Sequence, residues 1–429
     1  MTLKIGDLIE GPIEKIAFGG EGILKHQGFI LFIPFTAPGD TVLCQVTTLK
    51  KSFGRAELVS IRQPSKSRVV PLCPYFGKCG GCQLQHLNDQ TQLEYKREAV
   101  IDALKRIGRI TVDNIEMIPA QLKWAYRRHI TLHLRPYEEG FEAGYIGIDH
   151  QSFIPIQTCP IFNTKESLVI QHLQSFLRHI PSTSHTEGRV TLLKTHLDQF
   201  ILSFQFPATI STKIFEQTIK QYPEFVGLII QTPHTHFVWG DPYSEFTLND
   251  LTFRFTPQTF IQNNPEQSTN IYQELCSIVG HTSPKVILDL YCGFGITSLL
   301  FSKLGHQVIG IEWGSEAINF ARNNAQINHL PVKFIQGDVE KQIPLVAKST
   351  IPDLILMNPP RIGISREALN KILNIQPKEI LYVSCMPATL ARDLAIICQK
   401  PYRIEKCVVY DMFPQTAHVE TLIHLKQIE

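Results

Sequence analysis

The alternation of apolar and polar positions divides the chain into three regimes. Over residues 1–60 the apolar residues come in short runs, Ile13–Ala17, Gly28–Ile33 and Thr41–Val46, broken by Gly19-Gly20, Gly22 and Pro38-Gly39. Runs of this length between turn residues predict short strands, and the span suits a five-stranded barrel of the oligonucleotide-binding type. Asp89–Gly108 has helical periodicity, with Leu93, Val100, Ala103, Leu104 and Ile107 on one face, Asn88 or Asp89 as cap and Gly108 as stop. Residues 130–250 alternate in short segments, which predicts a mostly antiparallel α+β region.

From residue 253 the period changes. Strands are predicted at Val286–Tyr291, Val308–Ile311, Val332–Ile335, Leu354–Met357 and Ile380–Val383, with helices at Glu266–Val279, Ile296–Leu304 and Ser315–Asn328. Strand–helix alternation of this kind predicts an α/β fold, a doubly wound parallel sheet. In such a sheet ligands bind beyond the carboxyl ends of the strands. Glu312, Asp338, Asn358-Pro359-Pro360 and the turn Cys292-Gly293-Phe294-Gly295 all fall there. Gly293 and Gly295 let a ligand approach the backbone, Glu312 can accept both hydroxyls of a ribose, and Asp338 can accept from an adenine amino group. Adenosine recognition fits both NAD and S-adenosylmethionine (SAM). The incomplete glycine fingerprint, with acids and Asn-Pro-Pro at successive strand ends, favours SAM.

Cys385 sits where the strand Ile380–Val383 ends and a helix beginning near Pro387 starts. A thiol there feels the positive end of the helix, which favours the nucleophilic thiolate; the alternative is a small buried hydrophobe. Asn-Pro-Pro also occurs in amino-methylating enzymes, but an aromatic residue follows it there, and here Arg361 follows. A thiolate suits uracil instead. Adding it to carbon 6 makes an enolate, so that carbon 5 can take a methyl group, and a base must then remove the carbon 5 proton. The tail offers His418 and Glu420 for that step, or else a sheet-edge hairpin with solvated polar residues.

Composition narrows the partners. The chain has 429 residues, enough for two or three domains, and 43% apolar against 19% charged residues makes it globular. A net charge of +2 leaves nucleic acid to local patches. One such patch is Lys50, Lys51, Arg55, Arg62, Lys66 and Arg68, opposed in its stretch by Glu57 alone; its other reading is a solvated strand face. Trp124-Ala-Tyr-Arg127-Arg128-His129 can stack a base and hold a phosphate, or form an ordinary strand edge. The N-terminus lacks the apolar core of a signal peptide and no run is long enough to cross a bilayer, so a cytoplasmic protein is expected. Three of ten cysteines, Cys73, Cys79 and Cys82, lie in a C-x5-C-x2-C run. In a reducing compartment this spacing suggests a metal, iron–sulfur or zinc, with Cys159 the nearest candidate for a fourth ligand.

With these motifs the chain resembles the bacterial RNA 5-methyluridine methyltransferases, particularly the iron–sulfur branch acting on 23S ribosomal RNA. The resemblance runs nearly end to end. It implies that residues 1–62 are a TRAM domain, an RNA-binding barrel, that 63–252 form a central α+β domain with the iron–sulfur site, and that 253–429 form the SAM-dependent domain. Part of 89–121 is expected to pack on the last. It implies that Cys73, Cys79, Cys82 and Cys159 hold a [4Fe-4S] cluster. Gln262, Tyr291, Glu312 and Asp338 match SAM contacts, joined by Gly293, Gly295 and Asn358 from the strand-end reading. Ser-Cys-Met-Pro-Ala-Thr-Leu-Ala-Arg-Asp-Leu carries the matching nucleophile Cys385, and His-Val-Glu the matching base Glu420. Two positions depart from the family: Asn358 stands for its usual aspartate, and Ile296 for a frequent asparagine, removing one polar SAM contact. The expected function is methylation of carbon 5 of a uridine in RNA, on 23S rRNA ahead of tRNA, with no membrane and no obligate protein partner. A non-catalytic ribosome-assembly factor and an NAD-linked redox enzyme are the alternatives.

Overall fold

The computed structural model describes residues 3–162, 168–182, 187–281 and 283–428. The chain separates into two compact units. Unit 1 comprises Met1–Ala99, Tyr145–Ile156 and Phe413–Val419, and unit 2 comprises Val100–Gly144, Gln157–Met412 and Glu420–Glu429.

In unit 1, strands Leu8–Ile16, Gly22–His26, Phe29–Ile33, Thr41–Leu49 and Phe53–Gln63 close into a barrel in which the last two exchange places in the spatial order. Alternate residues turn inward, so Ile13, Leu24, Leu31, Ile33, Val42, Val46 and Ala56 fill the interior. The basic stretch is less free than its composition suggests. Arg55 pairs with Glu21 at 2.9 Å, Arg62 with Glu10 at 3.3 Å, and Arg68 with the fully buried Asp40 at 2.7 Å. Burial alone would raise the Asp40 carboxyl. Bonds from Arg68 and from the Ala37 and Ser65 amides outweigh it and hold the group below its usual range. Arg68 therefore ties the segment after the barrel's last strand to Asp40 and to the Phe35 carbonyl. The expected helix is capped by Asn88, whose Oδ1 accepts from the Thr91 amide at 2.9 Å, and runs Asp89–Ala103 before widening into a π turn over Leu104–Gly108.

Unit 2 holds two large sheets. In the first, His236–Gly240, Phe225–Gln231, Phe200–Gln205, Gly188–Lys194, His129–Tyr137 and Gly140–Ile146 follow one another; the pairing of Phe200–Gln205 with Phe225–Gln231 is parallel, the rest antiparallel. The second has eight strands in the order Lys333–Gln336, Gln307–Glu312, Val286–Leu290, Leu354–Met357, Glu379–Ser384, Glu420–Gln427, Tyr402–Tyr410 and Glu116–Ile118. Its first five are parallel. They are the five strands expected from the pattern, and helices alternate with them along the chain. The order reverses beside Val286–Leu290, and the crevice opens there. The C-terminal strand is no edge hairpin: it lies between Glu379–Ser384 and Tyr402–Tyr410, antiparallel to both.

Apolar burial holds this sheet. Leu288, Leu290, Leu356, Met357, Leu381 and Tyr382 are fully enclosed, each worth roughly 1.5–3 kcal/mol of transfer free energy. Ile296 is buried among Phe294, Leu299 and Leu300, so its replacement of a polar residue serves the core.

Candidate active site

The strand Glu379–Ser384 delivers Cys385, and the helix Pro387–Ile397 begins two residues later with proline in its first turn. The antiparallel register pairs Ser384 with Thr421. Carried one residue further, it sets half-buried Cys385 opposite Glu420, which is 2% exposed. Directly opposed residues of an antiparallel pair lie about 4.5–5.5 Å apart at Cα. His418 falls instead in unit 1.

Both groups are pushed toward their neutral forms. Burial raises the Cys385 thiol to about 11, Glu420 adds to the rise, and Arg361 opposes it through its charge and a hydrogen bond. Burial likewise raises the Glu420 carboxyl to about 8, again opposed by Arg361. Burial and the facing Glu420 thus act against the thiolate form that the helix end is expected to favour. The cation that reaches both groups is Arg361, whose place after Asn-Pro-Pro argued from sequence only against amino methylation. Arg361→Ala should raise both pKa values, shift the rising limb of the kcat/KM–pH profile to higher pH, and cost about tenfold or more at pH 7 but less above pH 9. An unshifted limb would remove Arg361 from this role.

The Arg361 loop is braced by buried Asp393. Its Oδ2 accepts from Tyr382 Oη at 2.7 Å and from the Ile364 amide at 3.0 Å, and its Oδ1 from Arg392 Nε at 2.8 Å. Gly363, at φ 77°, leaves no space for a β-carbon, which would lie 2.7 Å from Asp393 Oδ2. One carboxylate therefore locks the loop after Asn358 to the strand that ends at the thiol.

The remaining predicted residues surround the crevice at the sheet's switch point. Gln262 and Asn358 line a cleft with Ser268, Tyr272, Thr297 and Val383. Tyr291 holds φ 62°, a left-handed conformation uncommon outside glycine, at the start of the Gly293–Gly295 turn. Gly295, at φ 92°, packs so closely that a β-carbon would lie 2.9 Å from Phe334. Glu312 accepts from the Gly293 amide at 3.2 Å and the Gly314 amide at 2.7 Å, which ties the second strand's end to the glycine turn. Burial raises the Tyr291 hydroxyl to about 12, and Asp338, Glu340, Asp393 and Glu312 add to the rise, so these acids share its surroundings. Asp338 is also the N-cap of the helix Val339–Ala347, one carboxylate oxygen accepting from the Lys341 amide at 3.2 Å. Its other oxygen is the candidate adenine acceptor.

Besides Arg361, the structure adds Asp289 to the site. Asp289, not singled out by the motifs, lies inside the strand Val286–Leu290 and accepts from Thr297 Oγ1 at 2.6 Å and Ser298 Oγ at 2.5 Å, tying the strand to the helix after the glycine turn. Burial raises its carboxyl to about 6. An acid within an otherwise apolar strand is the signal that could have found it. In the Arg127–His129 motif, Arg128 and His129 are largely enclosed by protein. Arg128 lies over Phe246 at 4.7 Å with its pKa pushed down to about 10 by burial, and burial pushes His129 down to about 4.

Cys73, Cys79 and Cys82 lie in unit 1 and Cys159 in unit 2. Among the described residues no group of three or more His, Cys, Asp or Glu side chains is gathered for a metal. The unit 1 thiols nevertheless meet amide donors: Cys79 Sγ accepts from the Gly81 amide at 3.4 Å, and the Tyr75 and Phe76 amides lower Cys73 against a larger rise from burial. Amide donors around soft thiols suit thiolate ligation.

Comparison with known proteins agrees with this geometry. A family model described as tRNA (Uracil-5-)-methyltransferase matches residues 89–428, and a TRAM domain model matches residues 5–59. An uncharacterized RNA methyltransferase of Protochlamydia amoebophila is 53% identical over 99% of both chains, and one of Listeria monocytogenes is 32% identical, also over 99% of both. The crystal structure of the Pyrococcus abyssi tRNA (uracil-54, C5)-methyltransferase in complex with S-adenosyl-L-homocysteine superposes with a TM-score of 0.76 at 26% identity, covering 97% of this chain and 100% of that one.

Proposed function

The chain belongs to the tRNA (uracil-5-)-methyltransferase family, and from that premise we propose that it methylates carbon 5 of a uridine in 23S ribosomal RNA through a covalent Cys385 adduct. The observation that carries this reading is the register that sets Cys385 opposite Glu420 with Arg361 beside both.

Cys385 Sγ, once deprotonated, adds to uracil carbon 6, and the electron pair moves to an enolate across carbons 4 and 5. Arg361 stabilises the thiolate before attack. Gln262, Tyr291, Gly293, Gly295, Glu312, Asp338 and Asn358 would hold SAM, which would supply an electrophilic methyl group to carbon 5 as its sulfur–methyl bond breaks and S-adenosylhomocysteine leaves. Glu420 then removes the carbon 5 proton, and the released electron pair restores the 5,6 double bond and expels the Cys385 thiolate. A buried carboxylate is a stronger base than one in water, which suits this step. Asn358 retains an acceptor oxygen without a charge. Residues 253–429 are taken as the transferase domain, with the barrel a contact for the RNA backbone.

The same reaction on tRNA is the second reading, favoured by the description of the matching family and of the Pyrococcus relative. Mass mapping of 5-methyluridine in both RNAs, from cells with and without the protein, separates them. Loss of one 23S rRNA methyl group with tRNA unchanged is the expected result; the reverse moves the assignment to tRNA, and loss of neither overturns both.

The reading extends to a [4Fe-4S] cluster ligated by Cys73, Cys79, Cys82 and Cys159, supported by the cysteine spacing and the amide donors at Cys73 and Cys79. Protein purified without oxygen should be brown, with about four iron and four sulfide per chain, and Cys79→Ser should lose the colour. Zinc in place of iron in such a preparation would replace this assignment.

A further inference from the structure

Within unit 1, the segment Phe413–Val419 is held by an unusually complete set of bonds, and Glu420 is the next residue in the chain. Gln415 has φ 70° and is 3% exposed. Its amide donates to Gln92 Oε1 at 2.9 Å, its side-chain oxygen accepts from Gln92 Nε2 at 3.0 Å, and its carbonyl accepts from the Leu84 amide at 3.0 Å. The Ala417 amide donates to Gln83 Oε1 at 3.1 Å. Tyr95 Oη donates to the Ala417 carbonyl at 3.4 Å while accepting from the Gly19 amide of the barrel at 3.0 Å. The ammonium of Lys96, fully buried, donates to the Phe413 carbonyl at 2.9 Å.

Burying a lysine and a reciprocal glutamine pair is unfavourable unless every bond is made, so the arrangement specifies one conformation. Its anchors come from one short stretch, Gln83 to Lys96, which follows Cys82 directly and continues into the helix Asp89–Ala103. Two residues separate Ala417 from Glu420, too few for a displaced loop to leave the carboxylate unmoved. Proton removal by a fixed base is sensitive to placement at the ångström scale.

We propose that Gln83, Gln92 and Lys96 are positioning residues that fix the loop before Glu420 and so set the rate at which the carbon 5 proton is removed. This rests on the reading of Glu420 as the base. A slack loop leaves formation of the Cys385–carbon 6 bond and methyl transfer intact and slows the elimination that breaks that bond. Methylated RNA then stays attached to the protein.

The test uses the full-length protein with unmethylated ribosomal RNA and SAM, and reads kcat, KM and the fraction of chain migrating with RNA on a denaturing gel. Gln92→Leu removes both bonds of the pair and should lower kcat about 10–100-fold, leave KM for RNA and SAM within about twofold, and raise the covalent fraction severalfold. Gln83→Ala removes the single bond from Gln83 to the loop and an exposed bond to the Gly80 carbonyl, at a partly exposed position, so it folds even where Gln92→Leu does not; about a threefold loss of kcat with a raised covalent fraction is expected. Unchanged kcat and covalent fraction in folded Gln83→Ala, or lost kcat without adduct in either variant, overturns the proposal. Glu420→Gln is the reference. If it accumulates no adduct, the base assignment fails; if it does and the loop variants do not, the positioning role alone fails.

Discussion

Replacing Cys385 by alanine is expected to lower kcat/KM for uridine methylation by about 10⁴-fold or more, with SAM affinity changed less than twofold. The thiol has no substitute, because the reaction needs a covalent bond at carbon 6 before carbon 5 becomes nucleophilic. The cleft holding Gln262, Asn358 and Thr297 does not include Cys385, so cofactor binding and catalysis separate in this variant. Titration calorimetry with SAM and a tritium-release assay on RNA measure the two quantities. Methylation at the wild-type rate by the alanine variant would remove covalent catalysis through this residue.

The second large effect belongs to Glu420→Gln. Turnover should fall about 10³-fold, since a positioned general base contributes roughly 10²–10⁴, and the protein should be trapped on its RNA. The same substitution reports on stability. The folded carboxyl sits at about 8, against roughly 4.3 in the unfolded chain. Between those values the folded state binds the proton and the unfolded state does not, so wild-type stability falls as pH rises through that window. Glutamine carries no such liability. The variant's Tm should match wild type at pH 4, exceed it increasingly from pH 5 to 8, and keep a constant advantage above. A Tm difference independent of pH would show that Glu420 is not buried as a titrating group.

Much of the transferase domain is legible in the order of its residues. The five parallel strands stand out as apolar runs because both faces are covered, and the polar residues that interrupt the pattern, Glu312, Asp338 and Asn358, fall at strand ends. Local chemistry also marks the Asn88 cap, and short apolar runs between glycines mark the barrel. The pairing within the basic stretch over residues 50–68 is not legible locally. Its acids, Glu10, Glu21 and Asp40, lie in other parts of the barrel, and only closure brings them to Arg62, Arg55 and Arg68. The surroundings of Arg128 are likewise hidden, because nothing local shows that Phe246 and Phe255 cover its guanidinium.

The sequence by itself determined which elements form and which side chains stand at the crevice, because periodicity, caps and turn residues act over a few positions and need no distant partner. It did not decide the ionisation of the central pair or the cation that serves them. Those depend on inserting the C-terminal strand beside Glu379–Ser384, which removes Glu420 from water, sets it opposite Cys385 and leaves Arg361 to oppose the rise of both. Desolvation and charge act through space rather than along the chain, so the carboxyl that the sequence offers as a base is raised to about 8 only once the tertiary fold encloses it.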